Sequence, residues 1–196
     1  MALLGRTAAF SFAAGVNLYA TVAVIGLAAR FHLVTLPPQF EIFDSNLVIG
    51  VALVLYLVEF FADKVPYVDT LWDTMHTAIR PLGGAFVAVA TVGEASPAMQ
   101  GLAALLGGTL AAGSHFTKAG TRAVANTSPE PFSNWALSLG EDGLVIGLGL
   151  LALAYPVTAL VITAVLVGLM LVCASAIVRA VRRRFARRAV RLAHSS

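Results

Sequence analysis

Charge is what this sequence has least of. Asp, Glu, Lys and Arg make up 12% of 196 residues, where a soluble domain carries about 25%. So small a charged fraction does not cover the surface of a water-soluble globule, and hydrophobic residues reach 59%. A typical soluble enzyme and a disordered chain are excluded on these grounds, and the bilayer is indicated. Cysteine is reduced to Cys173, inside an apolar run. That leaves no disulfide framework and no cysteine zinc cluster. GxSxG, GxxxxGK[ST] and HExxH are absent as well. With them go the usual signatures of an activated serine, a phosphate cradle and a catalytic zinc.

What is present is a series of apolar runs. The first, residues 7–29, is long enough for a bilayer core. A signal peptide's apolar core is only about 7–15 residues, so we read a span, with Asn17 and Tyr19 inside it. Polar residues 30–45 contain Pro37 and Pro38, which forbid a helix through their middle. A second span starts near Asn46 and is stopped by Pro66. Between Lys64 and Arg80 the chain turns amphipathic, with Val65, Val68, Trp72, Met75 and Ile79 on one face. Pro81 and Gly83–Gly84 are expected to end this helix. Residues 82–93 then form a short third piece, spanning or re-entrant.

Residues 94–100 read as a turn and residues 101–116 as a fourth run. Ser128 fits an N-cap, with Pro129 at the first helical position and Glu130 at the positive helix end. A short helix carrying Phe132, Trp135, Ala136 and Leu139 follows. The Ser138–Glu141 spacing matches a capping box for the next helix. Residues 143–178 are too long for one span, and Tyr155–Pro156 is the natural break. Trp72, Trp135 and Tyr155 suit membrane interfaces.

The expected fold is therefore an all-α polytopic membrane protein with about six transmembrane helices and short amphipathic helices between spans. Residues 1–178 form one domain, with repeat-like halves at 46–93 and 101–155, parallel or inverted. Seven of the 13 Lys and Arg lie between Arg179 and Arg191. The pI of about 9.4 therefore reflects a tail, residues 179–196, and not a nucleic-acid surface. Val178, Val181, Phe185, Ala189 and Leu192 share one side of that tail. It reads as an amphipathic helix on anionic lipid. With both termini cytoplasmic, Arg6, Lys64, Arg80, Lys118, Arg122 and the tail fall inside, leaving Arg30 outside with Glu41, Asp44 and Glu94. The expected location is the inner membrane of a bacterium.

Two stretches carry a resemblance. VEFFADKVPYVDTLWDTMHTAIRPLGGA (residues 58–85) and HFTKAGTRAVANTSPEPFSNWALSLGED (residues 115–142) resemble the signature blocks of the domain-of-unknown-function 4126 family. AAGVNLYATVAVIGLAAR resembles that family's opening. The resemblance implies a small polytopic membrane protein, mostly bacterial in distribution, and no activity.

The two blocks also hold most of the chemistry. Asp69, Asp73, His76 and Arg80 recur at spacings of 4, 3 and 4, one helical stripe. Three readings compete: a solvated face with an Asp73–His76–Arg80 ladder, an ion-binding face in a pathway, and a metal site. Arg80 on the same face disfavours metal. Glu59 and Asp63 sit just before Lys64, and His115 sits just before Lys118 and Arg122. Glu141 and Asp142 either favour a helix dipole or pair with Lys64, Lys118 or Arg122. Unpaired charge near hydrocarbon is costly, so the blocks are expected to touch and their charges to pair. Arg80 is the expected anchor, holding one carboxylate in two parallel hydrogen bonds.

Asn17 reads as an interhelical hydrogen bond. Gly143 with Gly147, and Gly107–Gly108, are packing signals, within the chain or in a homo-oligomer. The leading expectation is a small transporter or channel for an ion or polar solute. Its binding residues are Glu59, Asp63, Lys64, Asp69, Asp73, His76, Arg80, His115, Lys118, Arg122, Glu141 and Asp142. The alternatives are a membrane scaffold or partner-docking protein, and third a lipid-modifying enzyme. No cofactor, catalytic residue or metal ligand is assigned.

Overall fold

The computed structural model describes residues 1–34, 38–65, 67–126 and 132–193, with side chains to residue 176 and at Arg179. Ser128, Pro129, Glu130, Pro37 and Pro66, and the side chains of the tail's apolar face, lie outside the described residues. Among those described the protein is all-α. The helices are α1 (Ala2–Val16), α2 (Leu18–Arg30), α3 (Asn46–Ala62), α4 (Val68–Val92), α5 (Pro97–Ala125), α6 (Phe132–Ala154) and α7 (Pro156–Ala193). A 3-10 helix, Pro38–Phe43, starts on a proline, where the missing N–H costs nothing.

The first expected span is two helices. Asn17 adopts an extended conformation and its side chain accepts from the Ala20 N–H, capping α2. Contacts with α6 show that α1 and α2 run in opposite directions. Arg6 donates to the carbonyl of Leu153, Asn17 reaches Asp142, and a Cβ on Gly149 would meet Val24. The chain therefore enters along α1, turns at Asn17 and returns along α2. This corrects the single span over residues 7–29. Neither Pro nor Gly marks the break; a buried Asn does. The backbone at the turn is satisfied from outside: Lys118 Nζ donates to the Val16 carbonyl and Ser114 Oγ to that of Phe12. Non-helical backbone deep in a protein survives only with such partners.

α1 is central. Every residue from Ala9 to Val16 is buried, and the helix packs on α4, α5, α6 and α7. Its Ala, Gly and Ser content lets those neighbours approach. A Cβ on Gly15 would lie 2.1 Å from the Ala111 carbonyl oxygen, and one on Gly5 would lie 1.9 Å from that of Pro156. 

α4 continues through Pro81 and Gly83–Gly84 for 25 residues, which corrects both the expected stop and the separate short piece. The interior proline forfeits one backbone bond, at about 3 kcal/mol in an exposed helix. Packing outweighs that loss here. Gly84 abuts Ala111 and Gly107 abuts Ala88, the hypothetical Cβ contacts being 2.3 and 2.4 Å. The glycines mark a helix crossing and not a helix end. α5 begins at Pro97, inside the expected turn, capped by Ser96. α6 is also continuous: no second helix starts at Ser138, whose hydroxyl instead accepts from Lys64 Nζ. The break at Tyr155 is where it was expected.

Among the described residues two stretches are long and apolar enough to cross a membrane, Phe132–Ala154 and Pro156–Ala176, while α1, α2 and α3 are apolar but shorter. The α1–α2 hairpin enters and returns, and the expected six crossings are not confirmed among the described residues. Arg6 consequently lies at the end opposite Lys64, Arg80, Lys118 and Arg122, with the Arg30–Asp44 pair. It does not share the end of the two blocks.

Candidate functional site: a buried charge cluster

Periodicity builds the site. On α5, His115, Lys118, Arg122 and Asn126 are spaced 3, 4 and 4, and they face the Asp69–Arg80 stripe of α4. The contacts Asp69–Asn126, Arg80–His115, Gly84–Ala111 and Ala88–Gly107 all fit one antiparallel register. α3 delivers Glu59 in its last turn and Asp63 at its C-cap. α6 contributes Asn134, Ser138, Glu141 and Asp142 from its first half.

The α4 stripe is not a solvated face. Asp69 and Arg80 are 0% exposed, Asp73 3% and His76 2%. Arg80 is the hub, but not through a two-bond clasp on one carboxylate. Its Nη2 donates to Glu59 Oε1 at 2.7 Å, while Nη1 donates to His115 Nδ1 at 2.9 Å and lies 3.0 Å from Asp73 Oδ1. The paired fork belongs to Arg122, whose Nε and Nη2 take the two oxygens of Glu141. The reason is placement: Arg80 divides its nitrogens between Glu59 on α3, Asp73 on its own helix and His115 on α5, whereas Arg122 turns Nε and Nη2 toward Glu141 on α6. Arg122 also donates to the Asp63 carbonyl at 2.6 Å. Lys118 Nζ bridges Glu59 at 3.2 Å and Asp63 at 2.8 Å, with Glu141 at 3.5 Å.

The histidines have defined tautomers. Arginine only donates, so His115 Nδ1 is the acceptor and Nε2 carries the hydrogen facing Thr77 Oγ1. His76 Nδ1 faces the Trp72 carbonyl and must donate, which leaves Nε2 to accept from Tyr19. His76 therefore takes no part in the expected ladder; it pairs with the α1–α2 hairpin.

The remaining expected residues divide. Asp69 accepts from Asn126, which accepts in turn from Asn134. Lys64 donates to Ser138 and the Phe60 carbonyl and has no carboxylate within ion-pair distance among the described residues. Glu141 pairs with Lys118 and Arg122, well inside α6 and not at a helix start. Asp142 has no ion pair among the described residues; Asn17 Nδ2 donates to its Oδ1 at 3.3 Å. So Asn17 makes the expected interhelical bond and also caps α2. Sequence reasoning missed Tyr19, Thr77, Asn126, Asn134 and Ser138. The signal for Asn126 was there, one more helical step beyond Arg122.

Among the described residues no three His, Cys, Asp or Glu side chains converge as metal ligands. A groove of about 310 Å³ opens between α1, α5 and α6 and ends on Lys118 and Glu141. A larger one, about 640 Å³, is apolar and lies between α2, α3 and α4, with Tyr19 in its wall.

The outer surface reverses the ordinary pattern. Leu47, Val54, Leu57, Phe61, Leu82, Leu105, Val161 and Leu169 are exposed, while ionisable side chains fill the interior. Fold and site thus define a helical bundle with an aliphatic exterior and a charged, ion-paired interior. The match to known proteins agrees in extent. The model for the family described as Domain of unknown function (DUF4126) covers residues 4–176, and the chain belongs to that family. No curated protein and no solved structure matches the chain.

Proposed function

We propose that this protein is a small membrane transporter or channel that passes an ion or small polar solute by way of the buried charge cluster. One observation carries the reading. Glu59, Asp63, Asp69, Asp73, Lys64, Arg80, Lys118, Arg122 and Asp142 are all at least nine-tenths buried, yet Lys118, with its partner Glu141, also lines an open groove. Ionisable groups inside a membrane protein are expensive and mark pathways by default. Helices broken beside a binding site recur in transporters, and the α1–α2 segment is broken at Asn17 beside the cluster. The two hairpins α3–α4 and α5–α6 run in the same sense, as parallel repeats would.

In this reading the cluster end and the basic tail face the cytoplasm of a bacterium, following the positive charges. The N-terminus then lies on the other face, because Arg6 sits at the opposite end. The tail, continuous with α7, rests on anionic lipid.

The scaffold reading draws on the pairing of Arg80, Lys118 and Arg122, as a structural lock would require. Purified protein in liposomes decides. Proton, sodium, potassium and chloride gradients should collapse faster than in protein-free liposomes for at least one ion, or a small polar solute should cross. A membrane as tight as the protein-free control to all of them supports the scaffold.

A further inference from the structure

Two carboxylates of the cluster, Asp69 and Asp142, have no ion pair among the described residues; both oxygens of Asp69 accept from Asn126, whereas Asp142 keeps an oxygen with no protein partner. Asp142 is 6% exposed. It has no ion pair among the described residues, and its Oδ2 has no protein hydrogen-bond partner. Its single bond is from a neutral amide. That assignment is firm, because Asn17 Oδ1 is taken by the Ala20 N–H and Nδ2 must therefore face Asp142. A buried charge costs several kcal/mol unless it is paired.

We propose that Asp142 is a proton-binding site. Oδ2 takes a proton that comes from the aqueous phase, and the carboxylate becomes a carboxylic acid. A metal cation fits less well. The Asn17 N–H hydrogens point at Oδ1 and would repel it, and no third ligand converges. A proton needs one oxygen.

The surrounding groups act in both directions, which makes the proton exchangeable. Glu59 and Asp63, from α3 and its cap, and Glu141 on the same helix favour protonation. Lys64 after α3, Lys118 and Arg122 on α5, and the positive end of α2 oppose it. Tyr56 on α3 is uncharged, α1 contributes no nearby charge, and α7 carries no charged side chain between Pro156 and Ala176. Asn17 reads the state of the site. Its bond to an ionised carboxylate is stronger than one to a neutral acid, so proton binding loosens the tip of the α1–α2 hairpin from α6. The site rests on this geometry and does not require that flux occur.

Infrared difference spectroscopy of the protein in lipid, alkaline minus acidic buffer, tests it without any transport measurement. Wild type should show loss of a buried carboxylic-acid C=O band on going alkaline. Asp142→Asn should lack that band, and Asp73→Asn should keep it. Asn17→Ala should shift the band by removing the bond to Oδ1, which covers the case of Asp142→Asn failing to fold. A full band in Asp142→Asn, or an unmoved band in Asn17→Ala, overturns the proposal. So does a sodium-dependent rise in melting temperature at fixed pH and ionic strength that Asp142→Asn abolishes, because the occupant would then be a metal cation.

Discussion

The two halves of the bundle are held by opposite means. At the end of the two blocks, long charged side chains from α3, α4, α5 and α6 meet, and each position needs its full reach. In the other half α1, α4, α5 and the start of α7 approach through Gly5, Gly15, Gly84 and Gly107, where no side chain fits. One half fails when atoms are removed, the other when they are added. The difference follows from the solvent. In the bilayer setting proposed above, burying an aliphatic side chain gains little, so close backbone packing and satisfied polar groups do the holding.

Removing Arg80 should break this contrast hardest. Arg80→Ala takes the guanidinium from Glu59, Asp73 and His115 and leaves Glu59 with Lys118 alone, and losing one partner of a buried ion pair costs about 3–5 kcal/mol. Arg80→Lys should recover only part of this, because an ammonium does not reach Glu59 and His115 together. Thermal unfolding in detergent with Arg187→Ala as the tail control checks both; equal melting temperatures for Arg80→Ala and the control would dissolve the cluster's structural role. Next is Gly107→Val. A Cβ there already lies 2.4 Å from Ala88 and 2.9 Å from the Gly84 carbonyl oxygen, so the expected loss is about 1–3 kcal/mol. Asn17→Ala removes the α2 cap, about 0.5–2 kcal/mol, and should speed hydrogen exchange at the start of α2. The smallest effect sharpens the contrast from the other side. A Cβ on Gly147 meets nothing within 4 Å. Gly147→Ala should therefore be neutral or raise stability by up to about 1 kcal/mol, unless Gly147 packs against a second copy, in which case a concentration-dependent melting temperature would fall.

The charged half was legible because its signal is periodic. Asp69, Asp73, His76 and Arg80 announce one face of α4, and the count of acids and bases in the blocks says that they must meet. The partner choices were not legible. Arg80 splits its donors because three helices converge on it, a fact of packing and not of spacing. The glycine half misled for a related reason. Pro81 and Gly83–Gly84 are local stop signals, and Ser138–Glu141 is a local start signal. Tertiary contacts overrode them: helix crossing at Gly84 in the first case, the Lys64 ammonium in the second. The break at Asn17 had no Pro or Gly to mark it. Its cost is met by Lys118 and Ser114, about a hundred residues away in the chain.

Glu141 is where structure and pathway separate. It is 16% exposed on its side chain, at the foot of the groove, and is held by Arg122 and Lys118. Flux through liposomes containing wild type, Glu141→Gln or Arg187→Ala tests the central claim most directly, with melting temperatures taken on the same samples. The account predicts that Glu141→Gln stays folded and loses most of its flux, while Arg187→Ala keeps both. Wild-type flux through a folded Glu141→Gln protein would contradict it.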